Sequence, residues 1–159
     1  MHREQVALVG DESVREAYHA ATAVPIEQAP SLIESVAETA TAAAEAAIRR
    51  LVSSLDGPVA AVGVVGGNRR LPELPQILAK HAKLHEAERH LYEQAIIQGA
   101  GRAGLPVATV PATGTLLAEA SQTLGVELEP ALAAMAKTIG PPWQKNYREA
   151  TAAALIALA

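Results

Sequence analysis

Two continuous apolar runs constrain the fold of this 159-residue chain more than any other feature. Residues 59–65 read VAAVGVV, and residues 105–110 read LPVATV. Short apolar runs without alternation are typical of strands buried on both faces, as in a parallel sheet covered by helices. A further short strand is predicted at residues 5–9, whereas residues 14–24 are compatible with either a strand or a helix.

Helical patterns separate these runs. A long helix is predicted from Ser31 to Leu55, because Ser31 and Glu34 have the spacing of a capping box and an alanine-rich stretch follows. Other helices are predicted at residues 75–98, from Thr113 or Thr115 to 124, at 130–139, and from Asn146 to the end. Strands alternating with helices predict a single three-layer α/β domain over residues 1–159, with a mainly parallel central sheet.

Composition excludes several classes of site and weighs against others. The chain has no cysteine, so disulfides, thiolate metal sites and cysteine nucleophiles are excluded. Its longest apolar stretch, residues 150–159, is too short to span a bilayer, and its first residues lack a signal-peptide pattern. We therefore expect a cytoplasmic protein without a membrane partner. A net charge of −4 disfavours general binding to nucleic acid, although a local basic patch would suffice.

A glycine-rich segment with two arginines follows the first apolar run. Ligands of open α/β sheets bind at the carboxyl ends of the strands, where free amides and guanidinium groups can hold a phosphate. A solvated loop that needs glycine for its turn is the alternative explanation. The candidate ligand-binding residues are Gly66, Gly67, Asn68, Arg69 and Arg70.

The predicted helix at residues 75–98 carries a candidate metal site. His81, His85 and Glu88 are spaced by four and three residues, so they share one helical face and can coordinate a divalent ion such as zinc. A solvated polar face is the alternative. Separately, acids near the ends of the predicted elements are weak catalytic candidates for magnesium chemistry: Asp11, Glu73 and Glu149.

The order of elements and three local matches resemble the ribonuclease H-like superfamily and, within it, the RuvC-type Holliday-junction resolvases. The matches are VAAVGVV at 59–65, LHEAERHLYEQA at 84–95 followed by AGLPVATVP at 103–111, and REATAAALIAL at 148–158. This resemblance covers residues 59–159. It implies a ribonuclease H-like fold and, in a complete family member, carboxylates that hold two magnesium ions.

This chain departs from the carboxylate pattern that the resemblance implies. The family has an aspartate inside the first strand, whereas Asp11 lies beyond it, and a glutamate at the end of the central strand, where this chain has Val65 and Gly66. Only Glu149, on the last helix, occupies a matching position. We therefore expect a degenerate metal site in a domain retained for binding or assembly, with nucleic acid or a phosphate-bearing ligand as partner.

Two alternatives remain open. The first is a metal-dependent nuclease or hydrolase that uses His81, His85 and Glu88 together with Asp11 or Glu149. The second is a homo-oligomer in which the alanine-rich helix at residues 37–47 forms the helix–helix interface.

Overall fold

The computed structural model describes residues 5–159, which divide into two compact units. The strand unit comprises residues 59–68 and 105–159, and the helical unit comprises residues 5–58 and 69–104. A mixed α/β composition with parallel strands is confirmed, although the chain is mostly helical. The single-domain assignment over residues 1–159 stays a prediction.

The strand unit contains the two apolar runs as a parallel pair. Strand β1 (Val62–Val65) pairs with β2 (Val107–Val110), and three helices follow: α5 (Leu116–Leu124), α6 (Leu128–Ile139) and α7 (Lys145–Ile156). Gly63 allows α7 to approach β1 at backbone contact, because a Cβ atom there would lie 2.3 Å from the carbonyl carbon of Ala153. The interior of this unit is formed by apolar side chains from the helices, including Ala120, Leu128, Leu132 and Ala152.

The helical unit contains α1 (Ala17–Ala21), α2 (Ala29–Ser53), α3 (Leu74–Leu78) and α4 (His81–Arg102). Small residues let α2 and α4 approach closely: a Cβ atom at Gly99 would lie 2.7 Å from the Glu45 amide nitrogen. Val9, Ala17, Val36, Ala40, Leu91 and Ala95 form the core where α1 also packs. This core packs α1 against the middle of α4, and Tyr18 on α1 also packs against Leu84 and Ala87 nearer the start of α4, which positions the site described below.

The predicted strand at residues 5–9 is wrong. The described chain has no strand there, and Val9 is buried among α1, α2 and α4 instead. The apolar residues of this segment pack on helices, and no neighbouring strand among the described residues pairs with it. The ambiguous segment 14–24 is helical at Ala17–Ala21. Within residues 5–159 the sheet has two strands, so the wider three-layer arrangement is not shown.

Several predicted boundaries also shift. The capping box of Ser31 and Glu34 is wrong, because α2 begins at Ala29 with a proline in its first turn, which places Ser31 inside the helix. The helix predicted at 75–98 is two helices, since Lys80 has an extended backbone with φ −137° and ψ 114°. Strand β1 begins at Val62, whose amide donates to the Pro106 carbonyl at 2.9 Å. Helix α7 begins at Lys145, so Asn146 is not its cap.

Candidate metal centre

Three histidines from two helices meet on one side of the helical unit. His81 and His85 lie on the first turns of α4, and His19 lies on α1. His19 Nε2 is 3.3 Å from His81 Nδ1, and His85 Nε2 is 3.1 Å from His81 Nε2. One ligand atom from each imidazole falls within 4.8 Å of the others, so this group is able to hold a metal ion.

Packing of α1 explains why His19 reaches this place. Ala17 and Ala21 are buried, and Tyr18 packs against the apolar clusters of α2, α3 and α4. The Tyr92 hydroxyl on α4 donates a hydrogen bond to the carbonyl of Arg15, which ties the chain before α1 to the same helix. The short helix α1 is therefore held against α4 by its buried side chains and by the chain that precedes it.

Glu88 is buried beside the imidazoles and hydrogen-bonds to one of them, that of His19. Its Oε1 accepts hydrogen bonds from the His19 amide at 3.1 Å and from His19 Nδ1 at 2.7 Å. Its Oε2 lies 3.6 Å from His85 Nδ1. Because the carboxylate faces the Nδ1 side of both rings, the Nε2 atoms of His19 and His85 point toward His81. At metal sites, a ligating histidine usually donates the proton of its other ring nitrogen to a group such as a carboxylate, which orients the ring.

Each of the two measured nitrogen separations is near the spacing of tetrahedral ligands, but they involve different nitrogens of His81. Zinc–nitrogen bonds of about 2.0–2.1 Å at tetrahedral angles place neighbouring ligand atoms roughly 3.4 Å apart. The observed separations of 3.3 and 3.1 Å are close to this value. His81 faces its two neighbours with different ring nitrogens, so binding through one of them requires a rotation of this exposed imidazole.

A second group, Glu16, His19 and Glu88, is also able to hold an ion but fits less well. The 2.7 Å between His19 Nδ1 and Glu88 Oε1 is a hydrogen-bond distance, shorter than two ligands of one ion normally allow. Glu16 Oε2 lies 3.6 Å from the same nitrogen on the exposed side. We therefore assign the three imidazoles as the better ligand set.

The charge of Glu88 acts on two phenols beside the cluster. Burial raises the pKa of Tyr18, and the Glu88 carboxylate raises it further. Burial likewise raises the pKa of Tyr92, with Glu88 as the second cause. Both phenols stay neutral at physiological pH, so the negative charge beside the imidazoles is that of the carboxylate.

The glycine and arginine segment that was predicted to bind a ligand is divided between the two units. Gly66 and Gly67 adopt positive φ angles of 100° and 80° after β1, as their turn requires, and belong with Asn68 to the strand unit. Arg69 and Arg70 belong to the helical unit, where Arg69 lies 3.5 Å from Glu86. The ligand-binding role of these five residues stays a prediction.

The three acids predicted for magnesium chemistry are absent from both metal-capable groups of the described residues. Asp11 accepts hydrogen bonds from the amide and hydroxyl of Ser13, which lower its pKa. Glu73 is exposed immediately before α3, and Glu149 lies 3.5 Å from Lys145 on α7. Asp11 and Glu73 belong to the helical unit and Glu149 to the strand unit, and their catalytic role stays a prediction.

Sequence reasoning missed His19 and Glu16. His19 lies 62 residues before His81, inside the segment whose secondary structure the pattern left open. A helix predicted over residues 17–21 would have made His19 a candidate for a third imidazole ligand. No spacing rule, however, connects His19 to the histidines of α4.

Comparisons with known proteins give no relative: no protein-family model, curated protein or solved structure matches the chain. In the described part of the chain, no helix combines the length and apolarity needed to cross a membrane.

Proposed function

We propose that the helical unit binds a divalent transition-metal ion of the zinc class through His19, His81 and His85, and that it acts as a metal-dependent hydrolase. The observation that carries this proposal is the convergence of three imidazole nitrogens within 4.8 Å. Imidazole ligands suit zinc and its neighbours better than magnesium. Three protein ligands also leave the fourth tetrahedral position open to water, as catalytic zinc sites do.

Residues of the chain orient the metal ligands and leave the histidine cluster open to substrate. Glu88 holds the Nδ1 side of His19, so the ring presents Nε2 to the cluster. The His85 side chain is 56% exposed, so a substrate from solvent is able to reach the cluster. A bound ion of this class lowers the pKa of its water toward neutrality and supplies a hydroxide nucleophile.

Metal titration of the purified full chain tests this proposal. We expect one equivalent of Zn²⁺ per chain, and a Co²⁺ derivative with the intense visible absorption of tetrahedral coordination. Replacement of His19, His81 or His85 by alanine should weaken binding by at least about tenfold, the range typical of altered metal sites. His90→Ala is the matched control, because His90 lies on α4 outside both metal-capable groups.

Hydrolysis is tested separately with chromogenic esters and phosphoesters on the zinc-loaded protein. Turnover that disappears in His85→Ala and survives in His90→Ala supports the enzyme. Binding of less than one zinc ion per chain, or equal losses of affinity in His85→Ala and His90→Ala, would contradict the metal site and therefore the hydrolase as well.

The second candidate is the ribonuclease H-like binding or assembly domain with a degenerate carboxylate site. Its support is the parallel pair of β1 and β2 with helices between them in sequence, an arrangement that this superfamily shares with many α/β folds. The three-layer sheet, a nucleic-acid ligand and a homo-oligomer belong to this proposal. Cleavage of branched DNA with magnesium that Glu149→Gln abolishes would contradict a degenerate site, and light scattering would test assembly.

A further inference from the structure

A groove in the helical unit has a different chemistry from the histidine cluster. It is an open groove of about 680 Å³ between residues 70–76 and the junction of α3 and α4. This volume lies in the range of small-molecule sites, about 300–1,000 Å³. None of the histidines of the metal centre lines it.

The groove carries positive charge in a chain whose net charge is −4. Arg70, Lys80 and Lys83 line it, and none of its described lining residues is acidic. Lys83 is paired with Glu86 at 2.6 Å. By contrast, neither Arg70 nor Lys80 pairs with a carboxylate among residues 5–159. Two cations therefore face the groove without a carboxylate partner among the described residues.

Apart from Gln76, the remaining residues that line the groove are apolar. Leu71, Pro72 and Pro75 line it beside the cations. Leu71 packs against the buried cluster of Ile77, Leu84 and Ala87, and Pro75 lies in the first turn of α3, where its fixed φ angle suits the helix. A ligand in this groove would meet an apolar surface on one side and cationic side chains on the other.

We propose that this groove binds a small organic phosphate, with the phosphate at Arg70 and Lys80 and its apolar body against Leu71, Pro72 and Pro75. A phosphate monoester carries nearly two negative charges at neutral pH, which matches the two unpaired cations better than a carboxylate does. Its oxygens accept charge-assisted hydrogen bonds from both guanidinium and ammonium groups. The proposal is independent of metal binding, because the two sites share no residue.

Calorimetric titration of the full chain with phenyl phosphate tests the groove. We expect measurable binding that weakens as salt is raised from 50 to 200 mM. The double substitution of Arg70 and Lys80 by alanine should reduce affinity by about tenfold or more. Both side chains are exposed, so the melting temperature of this variant should match that of the wild type. Arg89→Ala is the matched control, because Arg89 is a cation on α4 that does not line this groove.

Three further ligands distinguish the possible sources of binding. Benzoate should bind more weakly than phenyl phosphate, because it carries one charge, and inorganic phosphate more weakly because it lacks the apolar body. A short single-stranded oligonucleotide that binds more tightly than phenyl phosphate would assign the groove to nucleic acid and overturn the proposal. Absence of phenyl phosphate binding, or equal affinity in the wild type and the double variant, would also overturn it.

Discussion

Two glycines on α4 should respond in opposite directions to replacement by alanine. Gly99 faces α2, and a Cβ atom there would lie 2.7 Å from the Glu45 amide nitrogen and 2.8 Å from the Ala44 Cβ. A Cβ atom at Gly101, two residues later, would meet nothing within 4 Å. Comparing the two variants therefore separates the effect of α2–α4 packing on stability from the effect of intrinsic helix propensity.

The expected magnitudes follow from these two contributions. Alanine is favoured over glycine inside a helix by about 0.8–1 kcal/mol, and by somewhat less near the last turn, so Gly101→Ala should gain about 0.5 kcal/mol. At Gly99 the same gain is opposed, because α2 and α4 must separate by about 0.7 Å to restore ordinary contact. Overpacking of this kind costs about 1–3 kcal/mol, so with a gain of about 0.5 kcal/mol set against it the net effect of Gly99→Ala is a loss of about 0.5–2.5 kcal/mol.

Thermal unfolding followed by circular dichroism measures both variants. For a chain of this size, each kcal/mol corresponds to about 2–4 °C, so Gly99→Ala should melt roughly 1–10 °C below the wild type and Gly101→Ala slightly above it. Zinc affinity should be unchanged in both, because His85 lies about four helical turns before Gly99. A Gly99→Ala protein as stable as the wild type would refute the close packing of α2 on α4.

Three further predictions concern stability. Gly63→Ala should lower the melting temperature more than Gly99→Ala, because its Cβ would lie 2.3 Å from the backbone of Ala153. Gly57→Ala should not lower the melting temperature, because a Cβ atom there would meet nothing within 4 Å. Arg102 lowers the pKa of Glu38 below its usual value near 4.5, so the stability from this ion pair is complete above that value and lost as pH falls through the lowered pKa. The melting temperatures of the wild type and Glu38→Gln should therefore converge in acid, and a constant difference from pH 7 to 3 would contradict this. Burial and Glu88 raise the pKa of Tyr18 above its usual value near 10, so its contribution is complete below pH 10 and lost as pH rises through the raised pKa. Tyr18→Phe should lose less stability than the wild type between pH 9 and 11, and an equal decline would count against a buried phenol.

The parts of the fold that sequence predicts well are those specified by local signals. Helix α5 ends at Gly125, which adopts φ 64° in the left-handed region, as a glycine after a helical pattern predicts. The two valine-rich runs form strands because each finds the other as a parallel partner. Residues 5–9 have a similar apolar character, yet Val9 is buried among helices. An apolar run specifies burial, and the partner that covers it is a long-range property that a local pattern does not contain.

The candidate metal site is likewise predicted by local signals only in part. Helical spacing placed His81, His85 and Glu88 on one face of α4, because residues three and four apart are neighbours on a helix. His19 joins them through tertiary packing of a helix of only five residues, which no periodicity of that length predicts. The role of Glu88 was equally hidden, because a carboxylate one turn after a histidine is as consistent with a ligand as with a residue that orients ligands.

The hydrogen-bond pattern around Glu88 favours an additional cation at this site. If Glu88 Oε1 accepts the His19 Nδ1 proton, His19 Nε2 accepts from His81 Nδ1, and His81 Nε2 then accepts from His85 Nε2. In that arrangement of neutral imidazoles, Nδ1 of His85 carries no proton and lies 3.6 Å from Glu88 Oε2. Two hydrogen-bond acceptors, one of them the buried carboxylate, then face each other and repel. A metal ion on His85 Nε2 would leave the proton on Nδ1 and convert this repulsion into a donor–acceptor contact. Zinc binding should weaken as pH falls, because protons compete with the metal ion for the imidazole nitrogens.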